Sequence, residues 1–156
     1  MDKFEKDLRH SWITSLRIES PIISRCNRRL TKIVDASSNL LLDVPAYKIA
    51  SFENNHLPLI TKVASTGKPL IISTGMATLG EIDRAVKTAR EEGCKDLILL
   101  KCTSTYPAST KNTNLRSIPH MRDLFQAEVG ISDHTMGVGA AVGSISLGAS
   151  VIEKHF

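Results

Sequence analysis

Two histidines close short apolar runs late in this 156-residue chain, and they are its strongest chemical signal. Val129-Gly130-Ile131 leads into Ser132-Asp133-His134-Thr135, and Ser150-Val151-Ile152 leads into Glu153-Lys154-His155-Phe156. Each run ends in polar side chains able to ligate or titrate. The segment between them is rich in Gly and Ala and has the length of a helix. A strand, a helical crossover and a parallel strand put both strand ends on one edge of a sheet. Two imidazoles presented there can share one metal ion.

The elements that would position them begin near residue 44. Residues 46–51 read as a strand, 56–66 as a helix stopped by Gly67, and 70–73 as the next strand. Thr78-Leu79-Gly80-Glu81 is a capping box, in which hydroxyl and carboxylate satisfy free amides at a helix start. Ile82, Ala85, Val86 and Ala89 then recur at helical spacing until Gly93. Residues 97–102 form a third strand, followed by a helix near 115–126, the Val129 strand, a helix near 137–147 and the Val151 strand. Such an alternation of apolar strands with helices predicts a parallel sheet. A doubly wound open sheet and part of a (β/α)₈ barrel both fit it. Polar residues at every strand end (Lys48, Ser51 and Glu53; Ser73 and Thr74; Thr103, Ser104 and Tyr106; Ser132 and His134; Lys154 and His155) favour the barrel, whose chemistry gathers at one rim.

Composition bounds the function. The chain is 42% hydrophobic and 23% charged, as ordinary soluble proteins are, and only 4% aromatic, so aliphatic side chains must fill the core. The net charge of +4 suits a phosphate- or carboxylate-bearing substrate. The basic residues are scattered and not interleaved with aromatics, which argues against nucleic acid. Cys26, Cys94 and Cys102 show no pairing pattern, and with no signal peptide they point to a reducing cytoplasm. No apolar run approaches the roughly 20 residues that span a bilayer. Ser73-Thr74-Gly75 lacks the Walker pattern, so nucleotide binding is disfavoured. Residues 1–43, with Arg25, Arg28, Arg29 and Lys32 in a weakly periodic stretch, are expected to be a loosely packed segment ahead of a domain spanning 44–156.

Five stretches carry a family resemblance over residues 44–156. They are Tyr47-Lys48-Ile49-Ala50-Ser51-Phe52-Glu53, Lys68-Pro69-Leu70-Ile71-Ile72-Ser73-Thr74-Gly75-Met76, Lys101-Cys102-Thr103-Ser104-Thr105-Tyr106-Pro107, Ser132-Asp133-His134-Thr135 and Glu153-Lys154-His155-Phe156. In this order and spacing they resemble the nonulosonic (sialic-acid-type) acid synthases, which condense phosphoenolpyruvate with an N-acylated amino sugar. Ala50-Ser51-Phe52-Glu53 and Cys102-Thr103-Ser104 are more similar to the pseudaminic acid synthase branch than to the N-acetylneuraminate synthase branch. The resemblance implies a partial (β/α)₈ TIM barrel holding about the last five strands, a truncated copy without the family's first three strands or its C-terminal antifreeze-like domain.

What the family resemblance implies for the site is specific. His134 and His155 match the family's metal ligands, which suits Mn²⁺, with Mg²⁺ or Co²⁺ as alternatives. Lys48, Ser51, Ser73, Ser104 and Ser132 match positions that contact phosphoenolpyruvate; many members have Asn where Ser104 stands. Each serine taken alone reads equally well as a cap or turn residue. Glu53 is the candidate catalytic carboxylate near sugar and metal, beside His134 and His155, and Tyr106 a candidate sugar contact. Asp133 either orients a metal histidine or caps the helix that follows. Cys102 reads as a buried structural thiol. Two other readings stay open: another barrel aldolase or phosphosugar enzyme, and a non-catalytic remnant. Five strands of an eight-stranded barrel also leave two open edges, which predicts self-association or a homo-oligomer.

Overall fold

The computed structural model describes residues 44–155, together with the backbone pairing of Leu16–Ile18 and Val34–Asp35. Apart from those two short strands, the expectation of loose packing over residues 1–43 lies outside the described residues. The elements are β1 (Leu16–Ile18), β2 (Val34–Asp35), β3 (Tyr47–Ile49), α1 (Leu57–Ala64), β4 (Leu70–Ser73), α2 (Leu79–Glu91), β5 (Leu97–Cys102), α3 (Ser117–Phe125), β6 (Glu128–Asp133), α4 (Gly139–Ser146) and β7 (Val151–Lys154). They build one seven-stranded sheet in the order β1-β7-β6-β5-β4-β3-β2. All pairings from β2 to β7 are parallel, and β1 adds to β7 antiparallel.

That order decides between the two architectures. A doubly wound sheet reverses its strand order at a switch point. Here each strand from β3 to β7 adds on the same side as the one before, as the strands of a barrel do. Curvature gives the same answer. Four inter-strand spacings separate β3 from β7, about 19 Å if the sheet were flat. Yet Lys48 Nζ on β3 lies 3.3 Å from Glu153 Oε1 on β7. Two side chains cannot bridge such a gap, so the sheet is curled into a half-barrel.

Strand alternation sorts the residues into two layers. One phase, with Tyr47 and Ile49, Leu70 and Ile72, Leu97 and Leu99, and Val129, packs against Ile60 and Val63 of α1, Ala85, Val86 and Ala89 of α2, and Ile118, Met121 and Phe125 of α3. This aliphatic layer is the core, and each fully buried Leu or Ile contributes roughly 1.5–3 kcal/mol. The other phase lines the barrel interior. Its lower positions, Ile71, Ile98 and Leu100, are fully buried. Gly130 lets β7 approach there, since a Cβ on it would run into the Val151 carbonyl and stand 2.9 Å from Leu100 Cδ2.

Helix ends follow the local chemistry. Thr78 and Glu81 form the expected capping box, the Thr78 amide donating to Glu81 Oε2 at 2.8 Å. At the sheet's other end, the Arg90 guanidinium donates to the Phe125 and Gln126 carbonyls where α3 stops. Strand β3 is shorter than the sequence suggests, because residues Ser51–Glu53 turn into a single 3₁₀ turn.

Candidate functional site

The inward phase of the strands turns polar at their C-terminal ends. Lys48 on β3, Ser73 ending β4, Cys102 ending β5, Ser132 on β6 and Glu153 on β7 all point the same way, and register sets Cys102, Ser132 and Glu153 side by side. One alternation further along, Ser104, His134 and His155 form the next tier, with Ser51 arriving from the 3₁₀ turn. Together they enclose a cavity of 390 Å³ whose mouth carries the exposed side chains of Phe52, Met76 and Tyr106. Gly75 makes the convergence possible. A Cβ there would strike Ser104 Oγ and come within 2.9 Å of Ser51 Oγ. Buried Asn54 ties the turn to the next strand by donating to the Ser73 carbonyl at 3.2 Å.

Glu153 dominates the electrostatics of the cavity floor. It is 3% exposed, and Lys48 Nζ lies 3.3 Å from Oε1. His155 Nε2 faces Oε2 at 3.8 Å, ion-pair range and too long for a hydrogen bond. Burial alone would push this carboxyl up, but His155, Lys48 and a Ser132 hydrogen bond hold it down at about 2. Burial likewise pushes the Cys102 thiol up, but hydrogen bonding with His134, Ser51 and Ser104 brings it down to about 7. Burial lowers His134, yet Cys102 and the Thr103 carbonyl outweigh it and raise this imidazole above its ordinary value.

The two imidazoles meet. Their centroids are 4.3 Å apart with planes at 72°, and the Tyr106 ring lies 4.1 Å from His134. A carbonyl only accepts, so the 2.9 Å contact to the Thr103 carbonyl makes His134 Nδ1 the donor and leaves Nε2 as the nitrogen that can ligate. His155 Nε2, Glu153 Oε2 and Ser73 Oγ are buried with no hydrogen-bond partner. Among the described residues, no group of three or more His, Cys, Asp or Glu side chains is gathered to hold a metal ion.

Of the residues singled out from the sequence, Lys48, Ser51, Ser73, Ser104, Ser132, Tyr106, His134 and His155 line one cavity. Glu53 is not among its lining residues: its carboxylate turns back to accept from the Ala50 amide at 3.3 Å, bracing the 3₁₀ turn. The buried carboxylate at the centre is instead Glu153, which the sequence reading quoted in a motif but gave no role. The available signal was its place two residues before His155, in phase with it on a strand. Cys102 is buried as expected, but it lines the cavity rather than only packing.

Comparison with known proteins gives a consistent picture. The model of the NeuB family matches residues 31–156, starting ahead of the first motif at Tyr47. A pseudaminic acid synthase of Campylobacter jejuni is 47% identical over 114 residues, covering 73% of this chain and 33% of that protein. The N-acetylneuraminic acid (sialic acid) synthetase of Leptospira borgpetersenii superposes with a TM-score of 0.69 at 33% identity, covering 73% of this chain and 40% of that one. The spore coat polysaccharide biosynthesis protein SpsE of Bacillus subtilis superposes with a TM-score of 0.76 at 35% identity, covering 87% and 40%. The chain spans about a third of the length of the curated relatives it matches.

Proposed function

We propose, from the premise that this chain belongs to the NeuB family, that its cavity serves a nonulosonic acid synthase in which phosphoenolpyruvate condenses with an N-acylated amino sugar. The carrying observation is the convergence, around one cavity, of a lysine, hydroxyls from four separate strand ends and a pair of imidazoles. Phosphoenolpyruvate carries a phosphate and a carboxylate, and needs that mixture of one cation and several donors. The reaction joins the enol carbon of phosphoenolpyruvate to the sugar aldehyde carbon, whose oxygen takes up a proton. Water then adds at the phosphate-bearing carbon and phosphate leaves.

The residues divide this work by chemistry. Lys48 supplies a point charge at the phosphate end, tempered by its pairing with Glu153. Ser51, Ser73, Ser104 and Ser132 donate to anionic oxygens, and Ser73 Oγ is buried with its hydrogen-bonding capacity unused. Tyr106, at the mouth, meets the sugar. Glu153, held at about 2, is too weak a base for proton abstraction near neutral pH. Its role is electrostatic, balancing positive charge on the floor. Glu53 acts through the turn it braces, which carries Ser51 to the rim.

The donor set fits a divalent cation, Mn²⁺ first. The Thr103 contact leaves His134 Nε2 as the ring nitrogen that can ligate, and the unpartnered His155 Nε2 is a buried polar atom that a cation would satisfy. His134 and His155 would hold it, and bound there it supplies Lewis-acid polarisation of the aldehyde oxygen.

The test is phosphate release from phosphoenolpyruvate with N-acetylmannosamine or a diacetamido-trideoxy sugar, with Mn²⁺ and after chelation. Metal-dependent release, lost in His134→Ala and in His155→Ala, is expected. A folded protein whose phosphoenolpyruvate affinity and phosphate release both stay at background sinks the reading. Turnover of phosphosugars without phosphoenolpyruvate would replace it with an aldolase, and binding without release with a non-catalytic ligand-binding domain.

A further inference from the structure

Behind the cavity, the strands that carry the two histidines also carry a pair of charges that the cavity does not use. Asp133 ends β6 and Lys154 ends β7, each immediately before a histidine, and the parallel register sets them directly opposite. Side chains alternate along a strand, so the pair faces outward where Ser132 and Glu153 face the interior. The Asp133 side chain is fully buried and Lys154 is 11% exposed.

Four contacts stitch the two strand ends together around this pair. Lys154 Nζ donates to Asp133 Oδ2 at 2.9 Å and also to the Thr135 carbonyl. Asp133 Oδ1 accepts from the Thr135 amide at 2.9 Å. The Asp133 carbonyl accepts from the His155 amide at 3.2 Å. The backbone on both sides of His134 is thereby fixed to one buried ion pair, and the His155 amide to the backbone of the residue that carries its carboxylate. Such pairs add little net stability over apolar side chains, but losing one partner leaves a buried charge uncompensated. Their value lies in the geometry they impose.

We infer that Asp133 and Lys154 form a positioning clamp: the pair locks the ends of β6 and β7 in register so that His134 and His155 keep the ring separation at which they share a cation. The cation part rests on the metal reading above; the locking of the strand ends does not. Both are positioning residues, since neither lines the 390 Å³ cavity.

The test uses the full chain carrying Asp133→Asn or Lys154→Met, with Lys154→Arg as the conservative variant. Amide hydrogen exchange at His155 and Thr135 is compared with Leu99 in the core, and Mn²⁺ affinity is read from the free-ion paramagnetic resonance signal. Exchange at His155 and Thr135 is expected to rise at least tenfold with Leu99 unchanged. Mn²⁺ affinity should fall about 10- to 100-fold, and Lys154→Arg should recover most of both. Unchanged amides, loosening shared equally by Leu99, or loosened amides with unaltered Mn²⁺ affinity would each overturn the clamp. If Asp133→Asn does not fold, Lys154→Met is read in the same way. Failure of both to fold would make the pair a requirement of the whole fold and overturn the inference. A wild-type chain that binds no Mn²⁺ removes the metal reading alone, and amide exchange then decides the clamp.

Discussion

A carboxylate buried against a lysine and an imidazole links the stability of this protein to pH. Glu153 is held at about 2 against an ordinary 4.5. A depressed folded-state value means that the unfolded chain binds the proton more readily. The stabilisation is therefore fully present above pH 4.5 and is lost as pH falls toward 2. A shift of that size corresponds to roughly 3 kcal/mol. Urea unfolding measured from pH 6 to pH 2.5 should show stability falling across this window, and Glu153→Gln should flatten the fall. An equally steep curve in the variant would place the titrating group elsewhere. The same residue marks the limit of reading single positions. Glu53 and Glu153 both stand near strand ends, but Glu53 sits in a 3₁₀ turn where the two-residue period no longer sets direction. Glu153 lies on a strand, in phase with His155.

Among the elements, α2 was the most legible, because capping box, apolar spacing and terminal glycine agree on one helix. Thr78 is exposed to solvent and is not among the cavity's lining residues, so its role is to cap α2. Thr78→Ala should cost about 1 kcal/mol and lower the thermal midpoint while leaving phosphoenolpyruvate affinity unchanged. Loss of affinity with an intact fold would contradict that separation of stability from site. The strand and helix ends were less legible. Residues 46–51 and 56–66 narrow to Tyr47–Ile49 and Leu57–Ala64, since end residues make turn contacts that propensity does not register. The antiparallel addition of β1 to β7 had no precursor in the pattern. Three residues are too few to show a period.

Taken as a whole, the molecule is a half-barrel whose polar rim sits on an aliphatic core, and ligand at that rim should stabilise the entire fold. Phosphoenolpyruvate at a hundred times its dissociation constant adds about 2.7 kcal/mol, or roughly 5–10 °C in thermal midpoint for a domain of this size. Circular dichroism melts with Mn²⁺ present should show that rise, and Lys48→Met should remove most of it. A full rise in the variant would take Lys48 out of the anion site. From β3 to β7, the chain's own periodicity determined which segments are strands and helices, their alternation and the polar character of the strand ends. Those features depend on neighbours within a few residues, and a single sequence records them. Only the tertiary structure decided that β3 and β7 curl until Lys48 reaches Glu153, and that Asp133 meets Lys154 behind the histidines. Those pairings join residues separated by 21 to 105 positions. Sheet curvature and register bring them together, and neither is written in any local stretch of residues.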